Sequence, residues 1–229
     1  VSTSEEKISG GSYHHGDLRA ALVAAAVELV SCCGPTAVSL REVARLVGVS
    51  HNAPYRHFPT RQALLAAVAA QGYEMLFQAM KESAEIVDPA EHLQAIGCAY
   101  VGFALRHRGI YQLMFSNEVK KSEHPELREI AERAFDSLQQ HVMALNPNLH
   151  ARLATVTVWS LVHGIAHLIL DNQLKNYDED DAQRTELIKT ATGILTAGLI
   201  HLQPDATATD SDCDARTATP ALAGPGRCL

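Results

Sequence analysis

The residues best suited to contact chemistry gather in GVSHNAPYRHFPTR, residues 48–61. His51, Asn52, Tyr55 and Arg56 fall close together and suit a nucleic-acid groove. An arginine can fork onto guanine and an asparagine onto adenine. Thr60 and Arg61 open the helix that follows, where a backbone N–H and a guanidinium suit a phosphate. His57 has three uses open to it: packing, facing a phosphate, or reading a base. Ser39, Arg41 and Ser50 complete the DNA-facing set. A second constellation is VWSLVHGIAHLIL, residues 158–170, with the only tryptophan. Trp159, His163 and His167 recur at four and so share one helix face. Two histidines at that spacing can share a cation, but there is no glutamate as in HExxH and no third ligand stands nearby. His163 is therefore a hydrogen-bonded core residue, a ligand contact or half of a metal site.

A third set could line a pocket: Phe103, Tyr111, Leu113, Met114, Phe115, Phe135, Leu138, Trp159 and His163. It is apolar with few polar groups, which suits a lipophilic or aromatic small molecule and demands no fixed charge. No nucleophile elbow, P-loop or dinucleotide fingerprint appears, so no cofactor is expected and the chain reads as a non-enzyme.

The elements that must carry these residues read as helices throughout. Apolar residues make up 47% and aromatics 5%, with no alternating strand pattern. Asp17 can cap LRAALVAAAVELV, where Leu18, Leu22, Ala25, Ala26 and Leu29 form a stripe that Gly34-Pro35 ends. Ser39 and Glu42 spell a capping box before LREVARLV, and Gly48 stops that helix after two turns. Pro54 in the first turn after Ser50 is tolerated, and Pro59 is a stop, so a third short helix is expected between them. Thr60 caps a long fourth helix, to about Val87. Further helices are expected near 89–106, 109–116, 123–145, 149–172 and 181–202. Residues 1–15 read as a flexible arm, 16–62 as a three-helix DNA-binding unit, 63–203 as a helical ligand-binding and dimerisation domain, and 204–229 as a disordered tail.

The net charge of −7 argues against nucleic acid until it is divided. Residues 1–72 hold six Lys/Arg against five Asp/Glu, and the rest holds thirteen against twenty-one. The acidic excess is thus C-terminal, and a DNA-binding head remains allowed. No run of eighteen uncharged apolar residues suggests a membrane span, and the polar first residues do not read as a signal peptide. Five cysteines without zinc spacing suggest a reduced, cytoplasmic protein. The adjacent Cys32 and Cys33 read as packing at a helix end, with redox sensing the alternative.

SLREVARLVGVSHNAPYRHFPTRQALLAAV resembles the helix-turn-helix of the TetR/AcrR family of bacterial transcriptional regulators. The resemblance spans roughly residues 14–70 and implies an all-α fold. It also implies that the third helix enters the major groove, with Tyr55 and Arg61 gripping phosphates. Ala53-Pro54 and Arg61 depart from the family's commoner pairings and leave the operator sequence unpredictable. Trp159-x-x-x-His163-Gly164 resembles the C-terminal ligand-binding domain called WHG in a subgroup, where Gly164 would admit another helix. Leu187, Ala191, Ile194, Gly198 and Leu202 form a three/four stripe, with Gly193 and Ala197 also permitting close crossing. That stripe is intrachain core or half of an intersubunit four-helix bundle. The resemblance implies the bundle, hence a homodimer on double-stranded DNA. The expectation is a repressor released from a palindromic operator by an unidentified effector. An activator, a regulator without a ligand, and a helical metal protein or enzyme built on His163 and His167 are the alternatives.

Overall fold

Helix ends set the architecture of the first third of the chain. The computed structural model describes residues 18–82, 86–174, 177 and 180–202. The expected arm, the Asp17 cap and the expected tail lie outside them. α1 (Leu18–Cys33) stops at Gly34, and a 3-10 turn, Pro35–Ala37, leads to α2 (Leu40–Val47). Ser39 Oγ accepts from the Glu42 N–H at 3.1 Å. The other half of the expected capping box does not form, because the Glu42 carboxylate accepts from Arg45 Nε and Nη2 at 3.0 and 2.7 Å. Gly48 takes φ +75°, a left-handed conformation that a side chain would strain, and its N–H closes α2.

The third helix differs from expectation. Between Asn52 and His57 only one 3-10 turn forms, Ala53–Arg56, and no side chain caps it. The Pro54 carbonyl accepts from both His57 and Phe58 N–H groups at 2.9 Å. Pro59 disfavours helical backbone at Phe58, so there is no room for a second turn. α3 (Arg61–Lys81) then opens on Thr60, whose Oγ1 accepts from the Ala63 N–H at 3.1 Å. It ends before the expected Val87.

The remaining helices follow the predicted breaks. They are α4 (Pro89–Arg106), α5 (Arg108–Phe115), α6 (Pro125–Leu145), α7 (Ala151–Leu170) and α8 (Asp181–His201). Among the described residues there is no strand. Asp88 and Asp180 cap α4 and α8 through carboxylate oxygens. Buried Asn146 donates to the Leu199 and Leu202 carbonyls at 3.1 and 2.9 Å, tying the end of α6 to the end of α8.

α3 runs through both parts of one continuous core. Its first half, with Leu64, Leu65 and Val68, closes a head made by Leu22, Ala26 and Val30 of α1 and by Val38, Val43 and Phe58. Its second half, with Tyr73, Leu76 and Met80, packs against α4, α5 and α6, while α4 packs on α7 and α8. Head and body meet where the start of α5 crosses the end of α1: a Cβ on Gly109 would collide with the Val30 carbonyl oxygen. α7 is long and apolar enough to cross a membrane by composition, with mean hydropathy 1.7. Its apolar side nevertheless packs inside the bundle, through Ala154, Val158, Val162, Ile165, Ala166 and Ile169.

Cys32 and Cys33 differ from the packing expectation. Both are exposed at the end of α1 and are joined as a vicinal disulfide.

Candidate functional site

At one end of α3 the head presents its polar residues to solvent. Ser50, His51, Asn52, Tyr55, Arg56 and His57 are all exposed around the 3-10 turn, and Tyr55 is 48% exposed. Pro54 and Phe58 point inward and anchor the turn. Arg41 is exposed on α2. Ser39 and Thr60 are exposed too, but their hydroxyl oxygens already accept backbone N–H groups.

Arg61 is placed differently. It is half-buried; Nε donates to the Val38 carbonyl at 2.8 Å and Nη2 to the Pro35 carbonyl at 2.5 Å. Both Nη atoms also lie 3.4 Å from Glu118 Oε2. Its Nε and Nη2 therefore donate within the protein. Arg61 is a clamp that joins the start of α3 to the α1–α2 connection and to the segment after α5. A second link crosses the same junction, from Arg19 of α1 to Glu126 of α6 at 2.8 Å.

At the other end of α3 a cavity of about 560 Å³ opens between α3, α4, α6 and α7. Of the sequence-predicted pocket residues, Phe115, Phe135, Leu138 and Trp159 line it. Phe103, Tyr111, Leu113 and Met114 do not, being almost wholly buried in the core instead. His163 sits behind the wall. Both Tyr100 Oη and Tyr111 Oη lie 2.8 Å from its Nδ1, and Trp159 Nε1 donates to Tyr100 Oη at 3.1 Å. In a neutral ring with its proton on Nε2, the Nδ1 lone pair accepts from one tyrosine O–H, and the Tyr100 and Tyr111 hydroxyls also hydrogen-bond each other. Burial, helped by His167 and Lys121, pushes the His163 pKa down to about 4. Burial likewise pushes the Tyr111 hydroxyl up to about 12. The His163 and His167 rings are 4.5 Å apart, but Nδ1 of His163 is engaged, and among the described residues no three potential ligands come together.

The predicted stripe on α8 divides. Leu187 and Ala191 pack half-buried on the core, while Ile194, Gly198 and Leu202 are exposed, Ile194 by 72%. Leu153 and Leu168 of α7 are also exposed. Gly164 and Gly198 have open space where a Cβ would be, so among the described residues no other helix approaches either. The face α8 does bury carries Ile188, Thr192, Thr196 and Leu199.

The head matches the family model of bacterial regulatory proteins of the tetR family over residues 22–68. Residues 93–191, which contain Trp159, His163 and Gly164, match the tetracyclin repressor-like C-terminal domain. The chain belongs to the TetR family of transcriptional regulators. Several solved structures resemble this TetR-family chain. A protein of unknown function from Rhodococcus sp. RHA1 is 30% identical, with a TM-score of 0.72 over 83% of this chain and 100% of its own. A TetR variant from Acinetobacter baumannii AYE, solved with minocycline, is 22% identical, with a TM-score of 0.57 over 82% and 98%. FadR from Bacillus subtilis, solved with stearoyl-CoA, is 13% identical, with a TM-score of 0.59 over 80% and 97%. The last two share the fold. No curated protein sequence matches the chain.

Most residues of the cavity wall in this TetR-family chain were not foreseen, Tyr73, Tyr100 and Lys121 among them. The two tyrosines lie at helix spacing among apolar neighbours and look like ordinary core. Lys121 lies in a segment that reads as a break between helices, with nothing local to point it inward.

Proposed function

We propose that this protein is a ligand-responsive transcriptional regulator that acts as a cytoplasmic homodimer and represses from a palindromic operator. The observation that carries the reading is the exposed set His51, Asn52, Tyr55 and Arg56 on one rigid turn, with Pro54 and Phe58 locking it from below. A single turn offers few contacts. Two turns related by a twofold axis reach successive major-groove faces about 34–36 Å apart. The unpartnered face of α7 and α8 suits the second copy, since Ile194, Leu153 and Leu168 are apolar and exposed and the open Gly164 and Gly198 admit close helix crossing. Similar structures hold minocycline and stearoyl-CoA, and the cavity here has room for a drug-sized apolar or aromatic molecule.

Coupling runs along α3. Tyr73, Leu76 and Met80 line the cavity, and Arg61 at the other end is clamped to Glu118. An effector that binds the two α3 positions unequally shifts the head and thereby the spacing of the reading turns.

The test is selection of genomic fragments by the purified protein at moderate salt. Recovery of a palindrome, footprinted by a dimer, supports the reading. No enrichment over random DNA by wild-type protein overturns it. Sedimentation of Ile194→Asp should show a monomer. A dimer in that variant moves the interface elsewhere.

A further inference from the structure

Lys121 is an unusual charge in this molecule. It opens the 3-10 turn Lys121–Glu123 between α5 and α6 and is half-buried in the cavity wall. Its Nζ lies 5.0 Å from the Tyr73 ring centroid and 5.4 Å from that of Phe115. Its neighbour Lys120 pairs with Glu123 at 3.3 Å. Among the described residues no carboxylate comes within ion-pair distance of Lys121. Contact with aromatic faces offsets only part of the cost of desolvating an ammonium. Burial accordingly pushes the Lys121 pKa below the ordinary lysine value.

The rest of the lining shows which sign of ligand the cavity suits. Arg152 also lines it, with its guanidinium 5.9 Å from the Phe135 centroid. The acids of the lining, Glu132 and Asp136, are both exposed, and Glu132 lies 3.8 Å from Arg128. The acids therefore stand in water, and the less hydrated group is a cation among aromatic rings.

We propose that the cavity binds an amphipathic carboxylate, its apolar body among Tyr73, Leu76, Met80 and Trp159 and its carboxylate on Lys121. This rests on the reading of the cavity as an effector site, and it adds a charge that the sequence-based reading did not demand. A carboxylate supplies the acceptor that Lys121 lacks, in a site where a charge-assisted hydrogen bond is strong.

Trp159 is the only tryptophan and stands in the wall, so its fluorescence reads occupancy directly. The probes are naphthoate against naphthamide, and dodecanoate against dodecanol. At least one carboxylate should bind roughly tenfold or more tighter than its neutral counterpart. Lys121→Met should erase that preference while leaving the neutral probe's affinity unchanged, and Lys121→Arg should keep it. Thermal melts of both variants check that the fold is retained. Equal binding of charged and neutral probes, or a preference that survives in Lys121→Met, overturns the carboxylate while leaving the cavity as an effector site. Failure of every probe to change Trp159 fluorescence overturns the proposal, and the genomic selection judges the regulator reading separately.

Discussion

The two ends of α3 use polar residues in opposite ways. At the head, His51, Asn52, Tyr55 and Arg56 stand exposed, with no side-chain hydrogen bond among the described residues. Behind the cavity wall, Tyr100, Tyr111, Trp159 and Nδ1 of His163 engage one another. On the proposed function, a surface that picks one operator out of many DNA sequences needs unspent donors on a stiff support. A wall that must take one ligand shape needs its own polar groups satisfied first, since unsatisfied buried groups are costly. Arg61 obeys the second logic although it lies at the first end.

The largest effect should come from breaking the unspent end. Asn52→Ala with Arg56→Ala should lower operator affinity roughly a hundredfold or more. Both side chains are exposed, so the melting temperature should not move. Fluorescence anisotropy on the selected operator, paired with a thermal melt, checks this. A fall in both quantities would mean the turn is held by these side chains and not by Pro54 and Phe58. Gly109→Ala strikes the junction between the two ends. The new Cβ meets a backbone carbonyl, which cannot rotate away. Stability should fall by about 1–3 kcal/mol, read by urea denaturation.

How much of this was legible in the sequence follows from how local each feature is. The Ser39 cap, the Gly48 stop and the Thr60 cap need only three or four neighbouring residues, and all three form. The reading turn was legible as exposed residues between two prolines, but not as a 3-10 turn, because the effect of Pro59 on Phe58 was weighed only as a stop. The face that α8 buries was hidden in the sequence by its threonines. Thr192 and Thr196 donate to carbonyls of their own helix, at 2.6 and 3.0 Å, and so pass as core residues. A periodicity that scored only apolar residues could not separate the face α8 buries in its own chain from the stripe through Ile194, Gly198 and Leu202, which is exposed. Arg61 and Lys121 were beyond reach for a different reason. Their surroundings, the Val38 and Pro35 carbonyls for one and the Tyr73 and Phe115 rings for the other, are assembled only when helices distant in sequence pack.

Arg61 sharpens the comparison further. If it is a clamp, Arg61→Ala leaves the Val38 and Pro35 carbonyls without their donor and should cost about 1–3 kcal/mol of stability. The salt dependence of operator binding should stay as in the wild type. A phosphate ligand predicts the reverse: unchanged stability, and a log–log salt slope smaller by about one. Tyr55→Phe serves as the control, because its exposed hydroxyl is free to reach a phosphate and its loss should weaken binding without touching the fold.

The smallest effect tests the spent end. The His163 pKa is about 4 in the folded protein against the ordinary 6.5. Below pH 6.5 the unfolded chain takes up a proton here that the folded chain refuses. Stability is therefore complete above that pH and falls as pH drops from 6.5 toward 4. His92 and His107 are lowered too, chiefly by burial, and contribute in the same sense. His163→Gln keeps an acceptor for the tyrosine hydroxyls and cannot take up the proton. Its melting temperature should decline less steeply than the wild type's across this window, while operator binding at neutral pH stays the same. An identical decline would assign the acid sensitivity to His92 and His107 alone, and would mean that His163 keeps its usual proton affinity in spite of its tyrosine partners.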